Sequence, residues 1–439
     1  MSFESGSVHR VTRRQAISQS ATCLAGITLL GCNRTDEVVA PVAAARTDIP
    51  LRITWVGSQD EADAIERGWS SVSEQAIAIN VVVIDRSQSV PSIADLTELA
   101  KSSDLLSVPL MMVAELASSE SIESLTGDAI SVITSDLLPA MRSGVARYGG
   151  DTFAIPYAAN LPALFFSTNR SEADLALSWK EYGDRVGADW NGKAGEPTTA
   201  GWAASMFLWR SIGSAQRWLV SRETFEPTID DEPYVQALDQ MRQTVARYET
   251  PRQTPSQIWQ RLQQRELAAG ITFPTSQANS EAELSAADLP SPESSSQSLA
   301  SLAFSPWLNA ITMSANCRQT DASKLFMDWI SGGEGSESTR QMVAPYNAVR
   351  SSDASSSLTP YAQWIEKKLG SPVTLPSMQF ISAGEYYAAL DHAVMDCLDG
   401  KSTAAEALAS AKSHWQSITK RVGVDVQLRA WRRANGMRA

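Results

Sequence analysis

Apolar positions along the chain switch between two spacings. Leu51 to Val56 is an apolar run of strand length, followed at once by Gly57-Ser58. Ala62, Ile65, Trp69 and Val72 then recur on one helical face, which predicts a helix over Glu61 to Ser73. Ile77 to Ile84 is almost continuously apolar, the pattern of a strand buried on both faces of a parallel sheet. Strand, helix, strand is a βαβ unit with a right-handed crossover. The same alternation continues with a helix over Ser92 to Ser102 and a strand over Leu105 to Val108. Helices are predicted over Met111 to Ser118 and Leu137 to Arg147. An open α/β sheet of this kind takes ligands at the carboxyl ends of its strands, which puts Trp55, Gly57 and Ser58 at the rim of a cleft.

The pattern changes at Tyr148 to Arg170. Tyr148-Gly149-Gly150-Asp151 reads as a tight turn, since glycine accepts the positive φ such turns need. Thr152 to Ile155 reads as a strand stopped by Pro156, and Leu164 to Ser167 as a second strand. Pro156 and Pro162 keep the intervening piece extended. It carries Tyr157 and Asn160, and is either a hairpin edge or a crossing between lobes.

Helices follow over Ser171 to Val186, Gly201 to Ile212, Pro233 to Tyr248 and Pro255 to Gln264. Trp202 stands at the exposed start of its helix, placed to stack on a ligand. Leu267 to Phe273 is a short buried strand. Thr275 to Ser301 is rich in Ser, Glu and Pro without periodicity and reads as a mobile surface loop. Strand-like Leu302 to Phe304 and a second extended passage, Pro306 to Met313, resume the fold. The helices of the tail are predicted over Ala322 to Ile330, Pro360 to Leu369, Ala383 to Leu398 and Ala404 to Arg421. Arg429, Arg432, Arg433 and Arg438 read as a solvated basic face.

A chain of 439 residues is too long for one ordinary core, so two lobes are expected. The formal net charge of -12 repels phosphate backbones and argues against nucleic acid as a partner. The 13 Trp, against 10 Phe and 9 Tyr, suggest a ligand with flat apolar faces. Only His9, His392 and His414 are present, so neither a His-based triad nor a metal cluster is expected. No GxGxxG, GxxxxGK[ST] or GxSxG motif occurs, and no cofactor is expected. Nothing picks out a pair of carboxylates for hydrolysis.

The first 32 residues read as an export address. Arg13-Arg14 precede a short apolar run, Ala21 to Gly31, that ends at Cys32. Thr12-Arg13-Arg14-Gln15-Ala16-Ile17 looks like a twin-arginine signal. Leu29-Leu30-Gly31-Cys32 resembles a lipobox, which implies lipidation at Cys32. Asn33 to Asp48 is small and polar and reads as a tether, leaving the folded part exported, on the periplasmic or cell-surface side, and held at a membrane. Cys317 and Cys397 lack a spacing pattern and read as free thiols.

Four stretches in order resemble one family. They are YGGDTFAIPYAANLPALFFSTNR, GWAASMFLWRS, PWLNAITMSANCRQTDASKLFMDWISG and ALDHAVMDCLDGKSTAAEALASAKSHWQSI. They are similar to the first crossing, the Gly-Trp helix, the return strand with its lysine-led helix, and the C-terminal helix pair of extracellular solute-binding proteins of family 1. These are receptors of ABC-type sugar importers related to maltose-binding protein. The sequence departs from the family at Ser305-Pro306-Trp307, where glycines are common, in the long Ser-rich loop and in the basic tail.

The resemblance implies an α/β type II two-lobe binding fold with a hinge of crossing strands. Lobe I would comprise 49–158 and 308–345, and lobe II 159–307 and 346–439. It implies a monomeric, non-enzymatic receptor that delivers a sugar or oligosaccharide to ABC permease subunits. Trp55, Tyr157, Trp202 and Trp307 are expected on the sugar faces. Ser58, Asn160 and Asp104 are expected on the hydroxyl rims, with Tyr346, Tyr386 and Phe273 as further candidates. An extracellular carbohydrate-active enzyme and a sensory receptor on the same scaffold are the alternatives.

Overall fold

A computed structural model describes residues 48–87, 93–166, 177–214, 217–275, 284–292, 302–333, 336–337, 339, 342, 349–353 and 359–437. The export signal, Cys32 and nearly all of the tether lie outside the described residues. Among the described residues no helix is long and apolar enough to cross a membrane.

Two sheets organise the residues from 48 onward. The first has five strands in the order β2-β1-β3-β12-β6. They are β1 (Leu51–Val56), β2 (Ile77–Val82), β3 (Leu105–Pro109), β6 (Ile155–Pro156) and β12 (Asn309–Met313). β1 runs parallel to β2 and β3, whereas β12 is antiparallel to both β3 and β6. Helix α1 (Gln59–Val72) begins with a capping box, in which Ser58 Oγ accepts from Glu61 N and the Glu61 carboxylate accepts from Ser58 N. It buries Ile65 and Trp69 on one sheet face, where Trp69 meets Phe326 and Trp329 edge-on with ring centroids 5.3 Å apart. The opposite face carries α2 (Ile93–Ser102) and α3 (Leu110–Ser118), whose apolar residues join a larger cluster shared with the second sheet.

That second sheet has four strands in the order β10-β7-β9-β8. They are β7 (Ala163–Phe166), β8 (Ala194–Gly195), β9 (Ala269–Thr272) and β10 (Ser285–Ala287). The chain passes from the first sheet to the second between Pro156 and Ala163 and returns just before Asn309. Short pieces complete the strands: the hairpin β4 (Arg147–Tyr148) and β5 (Asp151–Thr152), and the parallel pair β11 (Leu302–Ala303) and β13 (Thr374–Leu375).

Several elements differ from the sequence reading. β2 is an edge strand, so Ile77 and Ile79 are half-buried while Ala78 and Asn80 face solvent, and the apolar run does not mean burial on both faces. The helix expected over Leu137 to Arg147 is shorter, α5 (Pro139–Gly144), and it is preceded by a helix the sequence reading did not anticipate, α4 (Asp128–Asp136). Pro139 holds Leu138 extended between them. The Ser-rich segment contributes a strand, since Ala287 pairs with Leu164 and extends the second sheet. Asp288 in the same segment accepts from Trp364 Nε1 at 2.7 Å and pairs with Lys368. Of the expected Ser171 to Val186 helix, the described part is α6 (Trp179–Ala188), and 171–176 lie outside the described residues.

The helices of the second lobe are α7 (Ala203–Ser211), α8 (Glu232–Val245) and α9 (Pro255–Gln263), and α10 (Thr320–Ile330) returns to the first. The tail adds α11 (Pro360–Leu369), α12 (Ala383–Leu398), α13 (Ala404–Val422) and α14 (Val424–Ala434). The last is not a solvated face throughout. It buries Ala430 and Trp431. Arg433 stacks over Tyr148 at 4.7 Å and its carbonyl accepts from Gly149 N at 2.9 Å, which fastens the helix to the β4–β5 hairpin. Cys317 and Cys397 are free thiols, the first half-buried and the second buried.

Candidate functional site

A cavity of about 120 Å³ lies where the two crossing segments meet both sheets. Glu61, Arg86 and Asn309 line it from the first sheet and its flanks, Trp202 and Phe273 from the elements around the second, and Tyr157, Asn160, Ser305 and Trp307 from the two crossing segments.

The aromatic walls are held from behind. Tyr157 follows β6 and rests on Trp55, ring centroids 5.1 Å apart. Its hydroxyl shares a hydrogen bond of 2.8 Å with Ser107 Oγ. Burial drives the Tyr157 pKa far up, so the phenol stays neutral. Asn309 donates from Nδ2 to the Val56 carbonyl at 2.8 Å, which ties the return strand to the carboxyl end of β1. Trp202 leans on Phe273 at 5.8 Å and Trp307 meets Tyr387 edge-on at 5.6 Å.

Helix α7 presents Trp202 because its start is gripped by α12. Asp391 accepts from Gly201 N at 2.7 Å and Ala204 N at 2.9 Å, and the Tyr387 hydroxyl donates to the Gly201 carbonyl at 2.9 Å. A carboxylate at a helix N-terminus is favoured by the exposed N–H groups there. Burial nonetheless raises the Asp391 pKa, and those N–H groups offset it only in part. Gly201 itself has φ of +82°, and a Cβ there would stand 2.8 Å from the Arg86 carbonyl carbon and 2.9 Å from its oxygen. Glycine is therefore needed twice over, for the backbone conformation and for the approach of the loop that follows β2.

That loop delivers Arg86. Its guanidinium lies over Trp202 at 4.2 Å and within 5.0 Å of the Trp307 ring centre. The residue as a whole is half-buried, but Nη1 is sealed from solvent without a hydrogen-bond partner. Burial pulls its pKa down to about 10, against the opposing fields of Tyr387 and Glu61. The group thus remains a cation at neutral pH. On the same wall, the Glu61 carboxylate is engaged by Trp55 Nε1 at 3.1 Å and Ser58 N at 3.0 Å.

Five residues expected from the sequence, Tyr157, Asn160, Trp202, Phe273 and Trp307, are brought together on the cavity. The others stand elsewhere. Trp55 is fully buried beneath Tyr157 and supports the wall from the second layer. Gly57 leaves room for the contact between Trp55 and Glu61, since a Cβ would lie 2.2 Å from Glu61 Oε2. Ser58 is spent as the cap of α1. Asp104 sits at the amino end of β3, away from the cavity, where Arg52 N and Nε donate to Oδ2 at 3.0 Å and Arg318 N donates to Oδ1 at 2.8 Å. Tyr386 is buried in the second lobe against Phe380 at 4.8 Å and Trp415 at 5.4 Å. Tyr346 lies outside the described residues. Arg86, Glu61, Ser305 and Asn309 were not singled out from the sequence. For Arg86 a signal existed, because a lone basic residue closes the apolar run of β2 at its carboxyl end.

No family model matches the chain, and no curated protein matches it. Solved structures do. An ABC-transporter solute-binding protein from Agrobacterium vitis, solved with D-mannitol, superposes with a TM-score of 0.64 at 14% identity, covering 85% of this chain and 99% of its own. The GacH receptor of Streptomyces glaucescens, solved unliganded and with acarbose, gives 0.62 at 16% identity over 85% and 99%. A cyclo/maltodextrin-binding protein solved with maltotetraose gives 0.61 at 13% identity over 85% and 98%. The chain has the two-lobe solute-binding fold. In this solute-binding fold the aromatic cavity is built where the chain crosses between sheets, so any movement of one sheet against the other changes its walls.

Proposed function

We propose that this chain is an extracytoplasmic receptor that captures a sugar or polyol between its lobes and presents it to an ABC import permease. The observation that carries the reading is the cavity walled by Tyr157 from one lobe and by Trp202, Phe273 and Trp307 from the other, with Asn160, Ser305 and Asn309 between them. Aromatic rings take the apolar C–H faces of a sugar, and amides and hydroxyls take its rim. A ligand touching both lobes stabilises the closed arrangement by its differential contacts. The related structures were solved with D-mannitol, acarbose and maltotetraose, which supports the ligand class. The cavity volume is of the order that holds one six-membered ring, which favours a single sugar unit over a long oligosaccharide. Lobe I is assigned as 49–158 with 308–345, and lobe II as 159–307 with 346–439.

Export through the signal of residues 1–32, with lipidation at Cys32, and action as a monomer belong to the same reading. A hydrolase on this scaffold would need two carboxylates facing the bond, and Glu61 is the one carboxylate among the described lining residues. Thermal-shift measurements with a panel of monosaccharides and polyols test the proposal. A rise in melting temperature with at least one of them, lost in Trp202→Ala, is the expected result. No shift with any carbohydrate, together with one for a peptide or polyamine, overturns it.

A further inference from the structure

The cavity holds one feature that a neutral sugar does not explain. Arg86 reaches across from the first lobe and ends between Trp202 and Trp307 of the second, where Nη1 has no hydrogen-bond partner. No ion pair joins its guanidinium to a carboxylate among the described residues. Leaving a buried charged donor unmatched is costly. Stacking on indole rings offsets part of that cost but satisfies none of the N–H groups. The geometry points to an anionic ligand: we infer that the receptor takes a sugar acid, with a carboxylate of the ligand accepting from the Arg86 guanidinium while the ring lies against Trp202, Tyr157 and Trp307. This rests on the sugar-receptor reading above and narrows its ligand.

The charge balance of the walls selects a monoanion. Arg86 is the cation among the described lining residues and Glu61 the anion, so the empty cavity is close to neutral. A carboxylate brings one charge and matches the planar fork of a guanidinium with two parallel hydrogen bonds. A phosphate brings nearly two charges into the same space and faces the Glu61 repulsion with one cation to oppose it. The Glu61 carboxylate is already engaged by Trp55 and Ser58, which holds it back from Arg86 and leaves the guanidinium to the ligand. Arg86 also packs its backbone against Gly201 across the cavity. An anion seated on Arg86 would therefore fix both its side chain and the closed contact.

Isothermal titration calorimetry on the mature folded chain tests this with five probes: D-glucuronate, D-galacturonate, their neutral parents D-glucose and D-galactose, and glucose 6-phosphate. At least one uronate is expected to bind tenfold or more tighter than its parent hexose and tighter than the phosphate. That preference is expected to disappear in Arg86→Gln and to grow several-fold in Glu61→Gln, an increase that simple damage to the fold does not produce. A hexose that binds as tightly as its uronate overturns the sugar-acid inference and leaves the sugar receptor standing. Tighter binding of the phosphate overturns the choice of a monoanion. An unchanged preference in folded Arg86→Gln removes Arg86 from the recognition. Failure of all five probes, neutral and acidic, overturns the inference together with the reading beneath it.

Discussion

Two arginines in this molecule each lie over a tryptophan at 4.2 Å, Arg210 over Trp179 and Arg86 over Trp202. Their other surroundings separate them. Arg210 is fully buried in the second lobe and forks onto Glu196, with Nε donating to Oε2 at 2.8 Å and Nη2 to Oε1. Tyr248 donates to the same carboxylate and shares a hydrogen bond of 3.1 Å with Tyr182. Burial pushes the Arg210 pKa down and Glu196 more than reverses it. Both residues leave Nη1 without a partner, but Arg210 is otherwise complete and Arg86 is not. A buried cation whose counter-charge is built into the chain acts as a structural joint. One whose nearby carboxylate is held elsewhere, as Glu61 is by Trp55 and Ser58, keeps a donor for something the chain does not contain.

The comparison can be broken in four ways. The largest effect is expected at the joint: Glu196→Gln strands Arg210 and should cost about 3–5 kcal/mol in urea unfolding. Arg86→Met removes a charge that has no partner and should move the same unfolding curve by about 1 kcal/mol or less. Equal losses at the two sites would erase the distinction. Trp202→Ala should weaken sugar binding about tenfold, corresponding to about 1.4 kcal/mol, measured by calorimetry. Gly201→Ala places a side chain at positive φ and against the Arg86 backbone, so it should cost about 1 kcal/mol or more of stability and weaken ligand binding. An unchanged affinity there would show that closure does not need the Arg86–Gly201 contact.

The remaining effect is pH-dependent and concerns Asp104, the carboxylate that does have its partner. Burial alone would raise its pKa, but hydrogen bonds from Arg52 and Arg318 hold it below the usual value. A carboxylate depressed in the folded state contributes stability above its unfolded pKa and loses it as pH falls through the folded one. Asp104→Asn should therefore flatten the loss of stability below about pH 4 without changing ligand affinity. Thermal unfolding followed from pH 7 to pH 2 reads this directly.

Most strands and helices were legible because their apolar spacing is local. β1, α1, β3 and α12 are where Leu51, Ile65, Leu105 and Leu390 put them. What spacing does not carry is the order of strands in the sheet. An edge strand such as β2 can be as apolar as a central one, so Ile77 to Ile84 was over-read as fully buried. β10 was missed because Ser285, Ala286 and Ala287 pair through their backbone and carry no strand-like side chains. At the site, Tyr157 and Trp307, each directly after a proline, and Trp202, after Gly201, meet on one cavity. Of the three polar candidates only Asn160 lines it. Ser58 and Asp104 belong to a helix cap and an ion pair, and only partners distant in sequence reveal that. Arg86 was passed over for the converse reason: its meaning lies in the partner it lacks.

The fastening of α14 to the β4–β5 hairpin has a mechanical consequence. Arg433 and Gly149 stitch the last helix to the hairpin that leads into the first crossing. A stitch on one flank turns any parting of the halves into a swing instead of a slide.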